Sequence, residues 1–211
     1  MKQVAKKTAL FLSFFYLTLY IPVSFVIYTP YWYTLNCQFH GRCQMVGETR
    51  STQGIRELVS FYRHGAPELE SEFWTSKEKN HLSEVRHMTD TLFFMGLVAL
   101  VLFFLCFEKM RLGRFAGINM AVVCLLVFIL PFFPYFWRHI FHPLLFNNRN
   151  WLNTPKDFSF YILPRVFFKN TLIYLIIASC TINLLVFAFI RFNFFQHKTT
   201  KNNKPLQVRH L

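Results

Sequence analysis

The chain has 211 residues, of which 54% are hydrophobic, 19% aromatic and only 16% charged. Soluble domains are roughly a quarter charged, so a single water-facing globule is excluded. With 7 Gly, 9 Pro and 5 Cys, collagen-like, disordered and disulfide-scaffold classes are excluded as well.

Four charge-free apolar runs follow along the chain, at about 9–29, 91–107, 115–136 and 170–190. A helix needs about 20 residues to cross a hydrocarbon core about 30 Å thick, and backbone groups in lipid must be satisfied within the segment. The runs therefore predict an all-α membrane protein with four transmembrane helices, one membrane domain over 1–211. Two long outer segments, about 30–89 and 137–169, are expected to form an extracytoplasmic cap. The first run has the basic start of a signal peptide (Lys2, Lys6, Lys7), but it is too long and no small-x-small site follows. A retained anchor is expected.

Basic residues set the orientation. The N-terminus, the turn after the second run (Lys109, Arg111, Arg114) and the tail (Arg191, Lys198, Lys201, Lys204, Arg209) carry 11 basic residues against one acid, Glu108. These segments, and so both termini, are expected in the cytoplasm. Residues 30–89 hold seven basic and seven acidic residues, as suits a translocated segment. The net charge of +13 thus reads as topology and adhesion to anionic membrane lipid, not as a nucleic-acid surface.

The first outer segment opens with Tyr28, Tyr31, Trp32 and Tyr33, suited to the lipid–water boundary. Cys37 and Cys43 are the only outward cysteines and are expected to close a small disulfide loop in an oxidising exterior. Ile55, Leu58, Val59 and Tyr62 recur at helical spacing and predict a short amphipathic helix, stopped by Gly65-Ala66-Pro67. Thr75 and Glu78 have the spacing of a capping box, opening a helix that carries His81, Glu84, Val85 and Met88 on one face into the second span. A straight helix would lift His81 about 15 Å above Thr91. The segment is therefore expected to tilt, break near Met88–Asp90, or fold over the bilayer.

In the second outer segment His139 and His142 stand three apart on a possible helix that Pro143 would end, and Asn147–Asn150 reads as a turn. Aromatic walls with a few polar groups, Trp151 and Asp157 among them, suit a site for a lipid-like substrate. Asp157 and Trp151 fit either pocket or loop-holding roles.

Six histidines lie in the outer segments (His40, His64, His81, His87, His139, His142) and two in the tail (His197, His210). They are the natural acid–base groups near neutral pH. No metal site is expected: Glu78-x-x-His81 is half of a di-iron pattern whose other carboxylates are missing, and no His-Glu-x-x-His occurs. No Gly-x-Ser-x-Gly marks a hydrolase nucleophile. A four-span binding or assembly protein and a membrane thiol oxidase using Cys37 and Cys43 stand as alternatives to the enzyme described next.

Two strings carry a resemblance. Glu78-Lys79-Asn80-His81-Leu82-Ser83-Glu84-Val85 is similar to the Glu-x-x-His-Leu-x-Asp-Val motif of bacterial lipoprotein intramolecular transacylases. Phe141-His142-Pro143-Leu144-Leu145-Phe146, with Trp151, Pro155, Asp157, Leu163-Pro164 and Phe167-Phe168 after it, resembles that family's second signature. Glu84 stands where the family has Asp, Arg165 where it tends to have an acid, and the cysteine pair is not a family feature. The resemblance implies an acyltransferase that moves the sn-2 acyl chain of a diacylglyceryl-cysteine lipoprotein onto the α-amino group of that cysteine, giving the lyso form. It implies His81 and His142 as catalytic, with no cofactor, since donor and acceptor share one molecule. Phe141, Phe146, Trp151 and Asp157 are the expected substrate-binding residues. Glu84 is expected to orient His81, while Glu78 either caps its helix or supports the site. His87 and His139 are held as spares.

Overall fold

The computed structural model describes residues 2–202, with backbone alone for residue 2 and for 193–202. Lys204, Arg209 and His210 lie outside the described residues, as do the side chains of Lys2, His197, Lys198 and Lys201.

The chain runs α1 (Lys2–Tyr28), α2 (Pro30–His40), a 3₁₀ turn (Arg42–Val46), α3 (Glu48–Tyr62) and α4 (Ser76–Cys106). It continues through α5 (Lys109–Leu125), a 3₁₀ stretch (Leu126–Phe132), α6 (Phe133–Phe136), a π-helical turn (Trp137–Phe141) and α7 (His142–Leu145). The short α8 (Ser159–Ile162) precedes α9 (Arg165–Asn202). Helices carry the fold, and no strand occurs among the described residues. Four stretches are long and apolar enough to cross a membrane: Gln3–Tyr28, Ser76–Cys106, Lys109–Leu145 and Arg165–Phe192. Large apolar side chains such as Leu97, Val98, Val101, Leu105 and Leu185 are exposed along them, as lipid-facing surfaces require.

α1 packs on α4 and α9, and α5 on α9. Tyr16 Oη donates to the Leu92 carbonyl at 2.6 Å and Ser179 Oγ to the Thr18 carbonyl at 3.0 Å, so these two hydroxyls tie the bundle's helices together through backbone. At one end Leu10, Phe14, Leu112 and Ala116 form a small core. At the other, the head, a larger core gathers Tyr33, Ile55, Leu58, Trp74, Leu82, Phe158 and Phe167.

The amphipathic face expected on Ile55, Leu58, Val59 and Tyr62 is buried in this head. Its helix stops earlier than Gly65: Arg63 is the last half-turn and His64 takes the left-handed conformation, at φ 58°. The His64 N–H reaches the Phe61 carbonyl and the Gly65 N–H the Ser60 carbonyl, which closes the helix end. His64 holds this conformation, usually glycine's, with its ring 2.8 Å from Asp90 Oδ1 and 2.5 Å from Arg86 Nη2. Gly54 lets α3 meet Phe158, since a Cβ there would lie 2.2 Å from Phe158 Cε1.

Of the three courses expected for α4, the break is not taken, and one local expectation, at Pro143, is corrected. α4 is unbroken through Met88–Asp90, because no proline or glycine interrupts it there. Pro143 does not end its helix, which continues to Leu145. Pro143 falls in the first turn after the π-helical turn, where its missing N–H is not needed.

Candidate active site

α4 begins at a complete capping box: Thr75 Oγ1 accepts from the Glu78 N–H while Glu78 Oε2 accepts from the Thr75 N–H at 2.9 Å. The other carboxylate oxygen, Oε1, takes the N–H and Oγ of Ser159, both at 2.6 Å. Glu78 is only 2% exposed, so these bonds replace its water. They pin the start of α4 to α8. One helical turn on, at i+3, α4 presents His81, and Leu82, Val85, Met88 and Thr89 continue the same face.

That face walls one cavity of about 870 Å³. The opposite wall comes from the irregular rod of α5 to α7 and from α9. The π-helical turn redirects this wall: the His142 N–H bonds the Trp137 carbonyl five residues back, and His142 Nδ1 lies 2.8 Å from the same oxygen. A carbonyl can only accept, so Nδ1 carries the proton and the neutral ring offers Nε2 as a lone pair. His142 is 5% exposed, stacked on Trp151 at 4.4 Å with the Trp137 ring edge-on at 4.4 Å.

The two imidazoles meet here, with ring centroids 6.3 Å apart although 61 positions separate them in the chain. Phe146 packs edge-on to His81 at 4.7 Å. His81 Nδ1 stands 3.5 Å from Glu84 Oε2, an ion-pair distance without hydrogen-bond geometry. Asn148 Nδ2 donates to the other Glu84 oxygen at 2.6 Å, its carbonyl accepts the Trp151 indole N–H at 2.9 Å, and its Oδ1 closes the expected turn on the Asn150 N–H. Asn148 thus links the carboxylate beside one imidazole to the ring stacked on the other.

Of the expected substrate-binding residues, Phe141, Phe146 and Trp151 line the cavity. Asp157 does not line it; of the two roles expected for it, pocket or loop-holding, its contacts are those that hold the loop. It is buried beneath the loop, 2.6 Å from Lys77 Nζ, and accepts from the Thr154 N–H and hydroxyl at 2.6 and 2.9 Å. Burial works to raise the Asp157 carboxyl, but the bonds from Lys77 and Thr154 outweigh it and hold the group below its ordinary value. Lys77 Nζ also reaches the Leu152 carbonyl at 2.8 Å, so the pair straps this loop to α4. Lys77, Asn148, Ser159 and Trp137 were not singled out from sequence. Only Asn148 carried a local signal, its place in an Asn-rich turn.

The remaining expected groups stand apart. His139 is exposed and stacked on Tyr135, His87 is exposed, and neither lines the cavity. Cys37 and Cys43 are joined as a disulfide around the left-handed Gly41 and do not line it either. Their sulfurs and the His40 ring form the one cluster of three His, Cys, Asp or Glu groups spaced for a metal among the described residues. That donor set is committed, with the sulfurs bonded to each other and His40 Nδ1 accepting the Arg42 N–H at 3.2 Å.

The cavity combines two imidazoles with a largely apolar wall, and the serine and threonine hydroxyls in that wall, Ser159, Thr89 and Thr171, are spent on Glu78 and on backbone carbonyls. Such a site suits proton transfer on a lipid-like molecule that brings its own nucleophile. Comparison with known proteins agrees: the family model for lipoprotein intramolecular transacylase Lit matches residues 8–168. This chain belongs to that family. Its members are acyltransferases that act on lipoproteins in the membrane. Three solved structures share the fold, all of the membrane-integral Lit transacylase from Bacillus cereus. The first superposes with a TM-score of 0.83 at 14% identity, covering 94% of this chain and 98% of that one. A histidine-to-alanine variant gives 0.73 at 14% identity over 94% and 96% of the two chains. A histidine-to-arginine variant gives 0.73 at 13% over 94% and 95%. No curated protein sequence matches the chain.

Proposed function

We propose that this transacylase moves the sn-2 acyl chain of a diacylglyceryl-cysteine lipoprotein onto the α-amino group of the same N-terminal cysteine, with His81 and His142 as the catalytic pair. The observation that carries this reading is the 6.3 Å separation of the two rings across one cavity.

The substrate α-ammonium first gives one proton to solvent, and the neutral amine must shed a second as it attacks the ester. His142, with Nδ1–H committed to the Trp137 carbonyl, has Nε2 free to accept that proton. Burial outweighs the neighbouring Glu84 carboxylate and holds the His81 imidazole below its ordinary pKa, so the ring stays neutral and, as the Nε2–H tautomer, serves as donor to the oxyanion. The amine nitrogen bonds to the sn-2 carbonyl carbon, the tetrahedral intermediate expels the glyceryl oxygen, and His142 returns its proton to that oxygen. Counted from the neutral amine, an amide and a free hydroxyl result, and no atom is gained or lost. Phe141, Phe146 and Trp151 shape the chamber around the folded-back lipid. Orientation of this kind is worth about 7–11 kcal/mol in favourable intramolecular reactions.

The reading also puts the protein in a bacterial cytoplasmic membrane with both termini inside and the head outside. The 11 basic residues of the short loops and termini support it. The test is mass spectrometry of a lipoprotein N-terminal peptide from cells carrying His81→Ala or His142→Ala. Each variant is expected to accumulate in the membrane and give no N-acylated lyso product. Product at the parental rate from either one removes that residue from the mechanism.

A further inference from the structure

The wall of the catalytic cavity is buried or half-buried except at one place. Arg138, Arg165 and Val166 are the only exposed residues in it, so they mark its opening. Arg138 lies in the π-helical turn four residues before His142, and Arg165 is the first residue of α9.

Neither guanidinium has a hydrogen bond, ion pair or ring partner among the described residues. Arg42, the third arginine of the wall, is by contrast committed, donating to the Phe160 carbonyl at 3.3 Å and lying 4.5 Å over its ring. Arg165 also has the wrong sign for its place, since the start of a helix favours anions. The one carboxylate in the wall, Glu78, is taken by Thr75 and Ser159. The opening is therefore a positively charged rim with no internal counter-ion.

We propose that Arg138 and Arg165 determine specificity by gripping a carboxylate that the substrate carries immediately after its lipidated cysteine. The inference rests on the acyl-transfer reading above. The reacting amine and ester both belong to that cysteine, held between the imidazoles, so the residues that follow it are the ones that pass through the opening. A guanidinium offers a planar fork of donors that matches a carboxylate. The preferred partner is thus a lipoprotein with an acidic residue next to its modified N-terminus.

The test uses full-length protein in neutral detergent micelles and synthetic diacylglyceryl-cysteine peptides that differ only in having Asp, Asn or Lys after the cysteine. Wild type is expected to convert the Asp peptide with roughly fivefold higher kcat/KM than the Lys peptide, the worth of a partly exposed ion pair. Arg138→Glu and Arg165→Glu are expected to reverse that order by raising turnover of the Lys peptide, a gain that misfolding cannot imitate. An Asp-to-Lys ratio unchanged in both variants overturns the inference. So does a rate that follows added anionic phospholipid and ignores the peptide, which would make the rim a lipid-headgroup site. No conversion of any peptide by wild type would instead sink the acyl-transfer reading itself.

Discussion

His142 is bound twice to one atom: its backbone N–H and its ring Nδ1–H both meet the carbonyl oxygen of Trp137. Only a π-helical turn brings the fifth residue back onto that oxygen, so helix register and imidazole tautomer are set together. Deleting Ile140 should restore ordinary helical spacing and turn His142 out of the cavity. Turnover is expected to fall about 100-fold, the cost of a misplacement near 1 Å, while Ile140→Ala, exposed at the same position, should leave it near wild type. Conversion of a synthetic lipopeptide, normalised to membrane yield, is the measurement.

Glu78 accepts from both Thr75 and Ser159 while buried. Glu78→Ala leaves the Ser159 N–H and hydroxyl without their acceptor, at a cost of about 3 kcal/mol. A lower melting temperature in detergent should appear, with turnover largely kept by the fraction that remains folded at low temperature. Loss of turnover with unchanged melting would show that the carboxylate takes part in the chemistry.

Asp157 has a folded-state pKa below its ordinary 3.8. A depressed carboxyl contributes stability that is fully present above its unfolded-state value and is lost as pH falls through the folded one. The strap from Lys77 should therefore hold at neutral pH and release only in acid below about pH 4. Hydrogen exchange in residues 146–158, followed from pH 7 downward, should rise in that window. Asp157→Asn should show the rise already at pH 7 and little further change in acid.

Gly54 faces Phe158 with no room for a side chain. Gly54→Ala should destabilise the head by about 1–3 kcal/mol through overpacking, read as a drop in melting temperature. Adding Phe158→Leu should recover part of the loss, which would place the strain at that contact.

What could be read from the residues alone was whatever depends on nearby residues. The four spans follow from composition, the buried face of α3 from the spacing of Ile55, Leu58, Val59 and Tyr62, and the start of α4 from Thr75 and Glu78. His81 and His142 were named by resemblance to a family, since nothing in either string alone tells that the rings meet. The π-helical turn was missed because Pro143 reads locally as a stop, while the hydrogen bonds that carry the helix past it come from the preceding turn. Between pocket and loop-holding roles for Asp157 the residues alone do not choose, because its partner is remote. Lys77 stands 80 positions away in the sequence, and a polar pair with that separation leaves no periodic trace.

The straps at the head, Glu78 to Ser159, Lys77 to Asp157 and Glu84 to Asn148, all join α4 to the segment after α7. On α4 all three precede the charge-free stretch that begins at Thr91, the kind of stretch a helix needs within hydrocarbon. Bilayers that thin or thicken are then expected to be met by changes of tilt below, leaving the spacing of the His81 and His142 rings insulated from the lipid around it. Turnover should consequently be indifferent to the chain length of the host lipids over the range in which the rods still fit.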